Sequence, residues 1–364
     1  MERVLQIVDS MEMGGIQAFI MNVYRSIDRE QIQFDFLVHH MTDGPFYQEI
    51  EARGGKVYCL PARNEGVLKN KTSLREFFNE HKEYRVVHMH ESSLSYIEPL
   101  EAAKNAGVPI RIMHSHNTRI PGSKLHIILH RLHSLSIHKV ATHYLACGEM
   151  AGKWMYGNSR VKDYTVLYNG ISLESFKFNP DIRKQVRNEL AVGDALVFGH
   201  VGRFMQVKNH KFLIEVFKEI LKMQPDSYLV LAGTGELLES TKEYCKSLDI
   251  IDRVKFLGVR KDVSRLVQAM DAMIMPSFFE GFPVTAIEAQ ASGLPVYLSG
   301  TITKEAVIKE NVHVIELNCS ATEWAKTILE DLRRLENNDV LYEKGFDIYD
   351  VASKLLKLYK TGVI

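Results

Sequence analysis

The chain has 364 residues, 46% of them apolar and 25% charged, and its 45 basic and 45 acidic side chains leave no formal net charge. That balance excludes a whole-molecule polyanion binder such as a nucleic-acid coat, and the composition excludes collagen-like, coiled-coil and disordered classes. The length exceeds the roughly 250–300 residues at which a single core stops growing, so two domains are expected.

The opening run Met1–Ser10 is apolar for only a few residues before Asp9, too short for an export signal. No later window offers the about twenty apolar residues of a membrane span, so the expected location is the cytoplasm. Cys59, Cys147, Cys245 and Cys319 are far apart and form no C-x-x-C pair, which fits a reducing compartment.

Short β-rich runs alternate with helical patterns along the whole chain, the signature of βαβ units and parallel sheets. In the first half, strands are expected at Val4–Val8, Phe34–Val38, Val57–Leu60, Val86–Met89, Ile110–Met113 and Tyr144–Ala146. Helices are expected at Ile16–Ser26, at Ser73–Glu80 with Ser73 and Glu76 as a capping box, at Ser93–Ala106 and at Lys124–Lys139. The stretch Asn169–Pro180 is rich in turn residues and has no helical stripe, so the domain boundary is placed there.

Beyond it the alternation restarts with strands at Leu196–Val201, Tyr228–Leu231, Val254–Phe256, Ala272–Met275, Val296–Leu298 and His313–Ile315. Helices are expected at His210–Met223, Leu237–Ser247, Val263–Ala269 and Val284–Ala291, then at Ala321–Glu336 and Tyr342–Tyr359. The expected division is a first domain at 1–172, a second at 173–345, and a last helix at 346–364 that returns to the first. Two open α/β sheets of this kind, facing a central cleft, would carry ligands at their strand carboxyl ends.

The most informative stretch follows the expected strand Ala272–Met275. Glu280-Gly281-Phe282-Pro283 forms a loop, Val284 and Thr285 open a helix, and Glu288 lies within it. A helix start offers free amides and a positive dipole to a phosphate, with both glutamates in reach of one ligand. The plain alternative is two solvated surface glutamates. A second block, Gly202-Arg203-Phe204 through Lys208-Asn209-His210, follows the first strand of the second domain. A guanidinium fork and a mobile ammonium there can neutralise a diphosphate. Two glycine turns, Gly233-Thr234-Gly235 and Gly258-Val259, are weak signals by themselves.

These blocks resemble the family 4 retaining glycosyltransferases, which have the GT-B fold, in the flavour of bacterial exopolysaccharide and capsule assembly. The E-x7-E pair, Gly-Phe-Pro, Glu-Ala-Gln and Ser-Gly-Leu-Pro all correspond, strongly from about Gly199 to Gly300 and loosely before Asn169. The resemblance implies that Glu280 bonds hydroxyls of the transferred sugar and Glu288 the donor ribose. It implies that Arg203 and Lys208 hold the diphosphate, with amides near Val284 and Thr285 on phosphate and the segment at Gly258 and Val259 on the nucleobase. By frequency in the family the nucleotide is uridine diphosphate, and the acceptor is a lipid-linked or saccharide hydroxyl.

In the first domain, Met13-Gly14-Gly15 opens the first helix and lets backbone approach a phosphate closely. It is either a plain tight turn or, by the resemblance, part of the donor site. His114 and His116 end one expected strand, and a strand-end histidine is usually structural. The resemblance favours His116 as the one that touches the sugar. His90 and Glu91 end the preceding strand and are weaker candidates for the acceptor side.

No D-x-D and no H-E-x-x-H occurs, so no catalytic metal and no cofactor is expected. From Lys104 to Lys162 the basic residues Lys104, Arg111, Arg119, Lys124, Arg131, Lys139, Lys153, Arg160 and Lys162 face Glu149 as the sole acid. The segment Lys124–Lys139 interleaves cations and histidines with leucines and isoleucines. Its plainer reading is a domain helix whose apolar stripe faces the sheet; the alternative is a face for an anionic membrane. An epimerase of the same architecture, or a nucleotide-sugar-binding subunit without turnover, are the rival functions.

Overall fold

The alternating β-rich runs assemble into two separate parallel sheets. The computed structural model describes residues 1–12, 14–42, 44–118 and 124–364, with the backbone alone at Pro45. Met13 and Arg119 therefore lie outside the described residues. The chain divides into two compact units, Met1–Gly170 with Gly345–Ile364, and Ile171–Lys344.

The first unit contains β1 (Glu2–Ile7), β2 (Ile32–Val38), β3 (Val57–Cys59), β4 (Val86–Glu91), β5 (Ile110–Ser115), β6 (His143–Ala146) and β7 (Thr165–Val166). Their order is β3-β2-β1-β4-β5-β6-β7. The chain builds outward from β1 in one direction, then returns to lay β4 on its other side, with Val4 opposite Val86 and Ile7 opposite Met89. Loops leaving β1 and β4 diverge, and that reversal opens a crevice at the carboxyl edge.

Successive residues of a strand face opposite sides. Val4, Phe34 and Phe36 pack on one layer with Phe19, Ile20 and the C-terminal residues Val351 and Leu355. Leu5, Ile7, Leu37 and Val87 pack on the other with Leu74, Phe77 and Leu100. Every residue of β2 is buried, as a strand covered on both faces requires. The helix Ile348–Thr361 buries Ile348, Val351, Ala352, Leu355, Leu358 and Tyr359, one continuous stripe at helical spacing. Asp347 caps its start and Gly362 ends it in the left-handed conformation.

The second unit repeats the plan with β8 (Leu196–Val201), β9 (Ser227–Ala232), β10 (Val254–Phe256), β11 (Ala272–Met275), β12 (Val296–Ser299) and β13 (Val312–Ile315). The order β10-β9-β8-β11-β12-β13 matches that of the first six strands, so the reversal falls between β8 and β11. Phe198, Leu213, Phe217, Tyr297 and Trp324 fill one of its layers. The helix Pro180–Glu189 is fastened to the sheet through Asp271, which pairs with Arg183 at 2.6 Å and Arg187 at 3.3 Å and accepts from Val197 N at 2.8 Å.

Several helix limits differ from the sequence expectations. The helix expected to start at Ser73 begins at Val67, so Ser73 is interior and the capping box does not form. The helix expected over Ser93–Ala106 starts only at Glu98, with Pro99 in its first turn, where a missing N–H costs nothing. That expected over Ala321–Glu336 stops at Glu330. The one expected over Tyr342–Tyr359 is broken at Gly345 into Asp339–Glu343 and Ile348–Thr361. The boundary stretch holds one helical turn, Leu173–Phe176, capped by Ser172.

Leu355 is 1% exposed in the layer between the last helix and the first sheet. Leu355→Ala should therefore cost the first unit about 2–5 kcal/mol, read as a lowered denaturant midpoint with unchanged slope. An unshifted midpoint would mean that the last helix does not stabilise the sheet.

Candidate functional site

In the second unit the two loops at the strand reversal are tied together. After β8, Gly202-Arg203-Phe204 leads to a short turn at Gln206–Lys208 and to Asn209, which is left-handed (φ 55, ψ 44). Asparagine tolerates that conformation better than most residues, and it starts the helix His210–Met223. After β11 the loop from Pro276 leads to the helix Val284–Ala291. Asn209 Nδ2 donates to Pro276 O at 3.0 Å, and Phe278 N donates to Val207 O at 2.8 Å.

Between these two links lies the ion pair. Lys208 Nζ donates to Glu280 Oε1 at 2.7 Å and Oε2 at 2.8 Å, and Ser277 Oγ donates to Oε1 at 2.7 Å. The two charged side chains are 16% and 10% exposed. Ser299 and Thr301 hydroxyls in turn donate to Ser277 O, at 2.5 and 2.7 Å. Arg203, at the head of the same loop, is exposed, and no side-chain partner holds its guanidinium among the described residues.

The weak Gly-x-Gly signal has a steric cause. Gly233 (φ +142) and Gly235 (φ +156) adopt backbone that side chains disfavour, and a Cβ would stand 2.0 Å from Gly202 O at the first and 2.4 Å from Phe204 O at the second. The turn is sewn to its neighbours by Gly202 N to Ala232 O at 2.9 Å, Phe204 N to Thr234 O at 2.9 Å and Gly233 N to Gly258 O at 2.7 Å. Gly202, Arg203, Gly233, Gly235 and Gly258 thus form one surface at the carboxyl edge, with Val259 half exposed beside it.

The helix Val284–Ala291 starts after Pro283 without any side-chain cap. Gly281 and Phe282 precede it half-buried, and Thr285 Oγ1 turns back to Met275 Sδ at 3.9 Å. Val284 N already donates to Phe282 O at 3.0 Å and Ala286 N to Pro283 O at 2.9 Å, so it is the helix dipole and the Thr285 amide between them that favour an anion. Glu288 lies one turn on, half-buried, with burial pushing its pKa up to about 7 and no partner for its carboxyl group among the described side chains. Beneath Lys208, His200 Nδ1 donates to Ile274 O at 2.9 Å, and His210 stacks on Phe204 at 4.2 Å between centroids. Burial first, and nearby positive charge second, bring these rings to about 4 and about 2, so both are neutral. Asn209 and Ser277 have no role that their sequence context alone assigns. The asparagine beside a helix start was the available signal for the first, and nothing in the sequence marked the second.

In the first unit, Gly14 caps the helix Gly15–Ser26 in ordinary extended backbone. Gln17 Nε2 donates to Ser10 O at 2.8 Å, and its Oε1 would stand 2.5 Å from a Cβ at Gly14. Gly15 faces open space. At the ends of β4 and β5, four histidines make a buried network. His90 Nε2 lies 2.9 Å from Gln6 Oε1 and His90 Nδ1 2.9 Å from His116 Nε2. Gln6 Nε2 donates to Tyr359 Oη at 3.4 Å, Tyr359 Oη lies 2.8 Å from His88 Nδ1, and His88 Nε2 lies 3.2 Å from His114 Nδ1.

The Gln6 oxygen can only accept, so His90 Nε2 carries a proton and His90 Nδ1 accepts from His116 Nε2–H. His116 Nδ1 is then a bare lone pair without a partner among the described residues. On the other branch Tyr359 gives its proton to His88, which gives its own to His114. The opposite Gln6 amide orientation reverses every bond and protonates His116 Nδ1. His90, expected on the acceptor side, is instead buried with both ring nitrogens engaged. Glu91 is half-buried, raised to about 8 by burial and then by Asp9. Ring nitrogens of His88, His90 and His114 lie within 4.8 Å of one another. His88 and His90 are two residues apart on β4, and the pairing of β4 with β5 sets His114 opposite His90.

Residues 13–175 match the description Glycosyltransferase Family 4, and residues 181–346 match Glycosyl transferases group 1. A Bacillus subtilis (strain 168) protein named glycosyltransferase EpsF is 33% identical, over 98% of this chain and 96% of its own length. The Escherichia coli UDP-Gal:alpha-D-GlcNAc-diphosphoundecaprenol alpha-1,3-galactosyltransferase is 28% identical over 97% of this chain and 95% of its own. The crystal structure of Anabaena HepE with UDP and glucose has the same fold, with TM-score 0.79 at 18% identity over 99% of this chain and 100% of that one. With its two parallel-sheet units the chain is a glycosyltransferase of the GT-B fold. It belongs to glycosyltransferase family 4, its second unit carrying the group 1 region.

The buried histidines make the fold acid-sensitive. Burial holds His88, His90 and His114 well below 6.5 and His116 at about 3, so below pH 6.5 the unfolded chain binds protons that the folded chain refuses. Their contribution is complete above pH 6.5 and is lost as pH falls. Glu91 and Glu288 act in the opposite direction between 4.5 and their raised values, but they are outnumbered. Stability should fall by more than about 1.4 kcal/mol per pH unit between pH 6.5 and 5, measured by urea unfolding at each pH. A flat profile there would mean that the histidines are charged in the fold.

Proposed function

We propose that the chain transfers a hexosyl group from a UDP-sugar to a lipid-linked or saccharide acceptor in exopolysaccharide or capsule assembly. The anomeric configuration is retained, and no metal or other cofactor takes part. The observation that carries this reading is the arrangement of the second unit: Arg203, without a side-chain partner among the described residues, and Lys208 clasped to Glu280, at the edge where the strand order reverses. UDP is favoured by the UDP-Gal named for the Escherichia coli relative and the UDP bound to HepE. A lipid-diphosphate acceptor is favoured by the diphosphoundecaprenol named for that relative.

In this reading the free guanidinium takes the diphosphate first, and Lys208 turns from Glu280 toward it. Glu280 is then left to accept hydroxyls of the sugar, so that exchanging one partner for another keeps both charges satisfied. Glu288, without a partner among the described side chains, accepts the ribose hydroxyls. As the bond from the anomeric carbon to the diphosphate oxygen breaks, its electron pair passes to the leaving group. The bonds from Arg203 and Lys208 strengthen at that moment, which is what makes them catalytic and not merely adhesive. The acceptor hydroxyl attacks from the face that the diphosphate leaves, and its proton passes to the departing diphosphate oxygen.

Among the described residues no helix is long and apolar enough to cross a membrane. With a lipid-linked acceptor, the chain is proposed to work peripherally at the cytoplasmic face of an anionic membrane.

Arg203→Ala and Lys208→Ala should each lose about 1.5–3 kcal/mol in kcat/KM, roughly tenfold to 150-fold, in donor hydrolysis without acceptor across a panel of nucleotide sugars. An Arg203→Ala protein with unchanged turnover would remove the guanidinium from the mechanism. Turnover should survive EDTA; loss that magnesium restores would move the charge neutralisation from these cations to a metal. The product's anomeric proton coupling should equal that of the donor.

A further inference from the structure

The helix Lys124–Ser134 is inverted with respect to an ordinary domain helix. Its buried residues are His130 and Ser134, whereas Leu125 is 59% exposed, Ile128 54%, Leu132 57%, and Leu135 in the turn that follows 56%. Positions 125, 128, 132 and 135 are spaced three and four apart and form one stripe. Polar groups do the anchoring on the other side. His130 Nδ1 accepts from Leu94 N at 3.0 Å while its ring stacks on Trp154 at 4.9 Å, and His133 Nδ1 donates to Leu94 O at 2.6 Å.

An apolar stripe of this kind, held outward by polar anchors, marks an interaction surface. The charge beside it says which kind. Lys124 and Arg131 are exposed on the same helix, and between Lys104 and Lys162 the sequence has no acid except Glu149. A second copy seated on this stripe would set Lys124 and Arg131 against the same cations of its partner, with Glu149 as the one acid of the segment to offset them, whereas an anionic headgroup layer complements both features. The helix has 11 residues, about 16 Å, far too few to span a bilayer, so it can only lie in the interface.

We propose that this helix docks the chain on an anionic lipid bilayer, with Leu125, Ile128, Leu132 and Leu135 entering the acyl boundary and Lys124 and Arg131 on the headgroups. The proposal rests on the membrane-surface part of the reading above and names the surface that makes the contact.

The test is flotation of the whole chain with vesicles of mixed phosphatidylglycerol and phosphatidylethanolamine, against neutral phosphatidylcholine. Binding should favour the anionic vesicles, fall at least about tenfold in the Ile128→Ser and Leu132→Ser double variant, and fall about fivefold per cation in Lys124→Gln and Arg131→Gln. All variants should keep wild-type thermal midpoints and acceptor-free donor hydrolysis, because none of these side chains is in the core or at the donor edge. Equal binding of wild type and the double variant, or equal binding to neutral and anionic vesicles, overturns the proposal. So does a stripe-dependent dimer in sedimentation without vesicle binding. Vesicle binding that follows the stripe in a chain lacking donor hydrolysis would refute the proposed reaction and leave the docking surface standing.

Discussion

One ammonium on both oxygens of one carboxylate sets the geometry of the second unit's edge. Lys208 and Glu280 belong to loops that leave β8 and β11 on the two sides of the strand reversal, where backbone segments would otherwise diverge. A pair so largely withdrawn from water is a poor source of net stability, since desolvating both charges consumes most of their attraction. Removing one partner is far costlier, because a lone half-buried charge remains. The pair therefore constrains any ligand: whatever draws Lys208 away must bring donors for Glu280. A group that is an anion at one end and a polyol at the other meets that condition; a simple anion does not.

The edge of the first unit is organised by neutral groups. Four imidazoles, an amide and a phenol share protons in a single file, and Tyr359 brings the C-terminal helix into it from the far end of the chain. Such a file is costly to interrupt in the middle, because each buried nitrogen depends on the next for its partner. Its ends are different. Among the described residues His116 Nδ1 and His114 Nε2 are unmet, and the state of either is set by the orientation of Gln6 at the centre. One chain thus uses two physical means to prepare a strand edge: a movable charge pair in one unit and a directional array of neutral donors and acceptors in the other.

How far the sequence discloses this varies with the kind of information each residue carries. The strands were legible because both sheets are parallel and buried, so each strand is a short apolar run bounded by turn residues; Leu196–Val201 and Ala272–Met275 are read to the residue. Thr165–Val166, two residues at an edge, carries too little pattern to be seen. Helix starts failed where a local signal competed with a longer stripe: Ser73 and Glu76 make a plausible cap, yet the buried stripe Asn70, Leu74, Phe77 and Phe78 extends back past them. Gly233 and Gly235 looked ordinary because their cause, the carbonyls of Gly202 and Phe204, lies some thirty residues away in sequence and is invisible without the sheet order. Ser277 is in the same position, since a serine reveals nothing of the carboxylate above it.

The helix at Lys124 marks a limit of another kind. Amphipathic spacing identifies which residues share a face but contains no sign for inward or outward, and the prior that leucines point to the core decides the matter by default. Here that default fails because the polar face has better partners inside than the apolar face would have. The Leu94 backbone offers both an N–H and a carbonyl, and Trp154 offers a flat surface on which His130 stacks at 8°. With those needs met by His130 and His133, turning the helix over would bury four aliphatic side chains but leave a buried amide and a buried carbonyl unpaired, each costing about 1–3 kcal/mol. The hydrogen bonds at Leu94 and the stacking on Trp154 thus hold the polar face of the helix inward, and the aliphatic face is the one left outside.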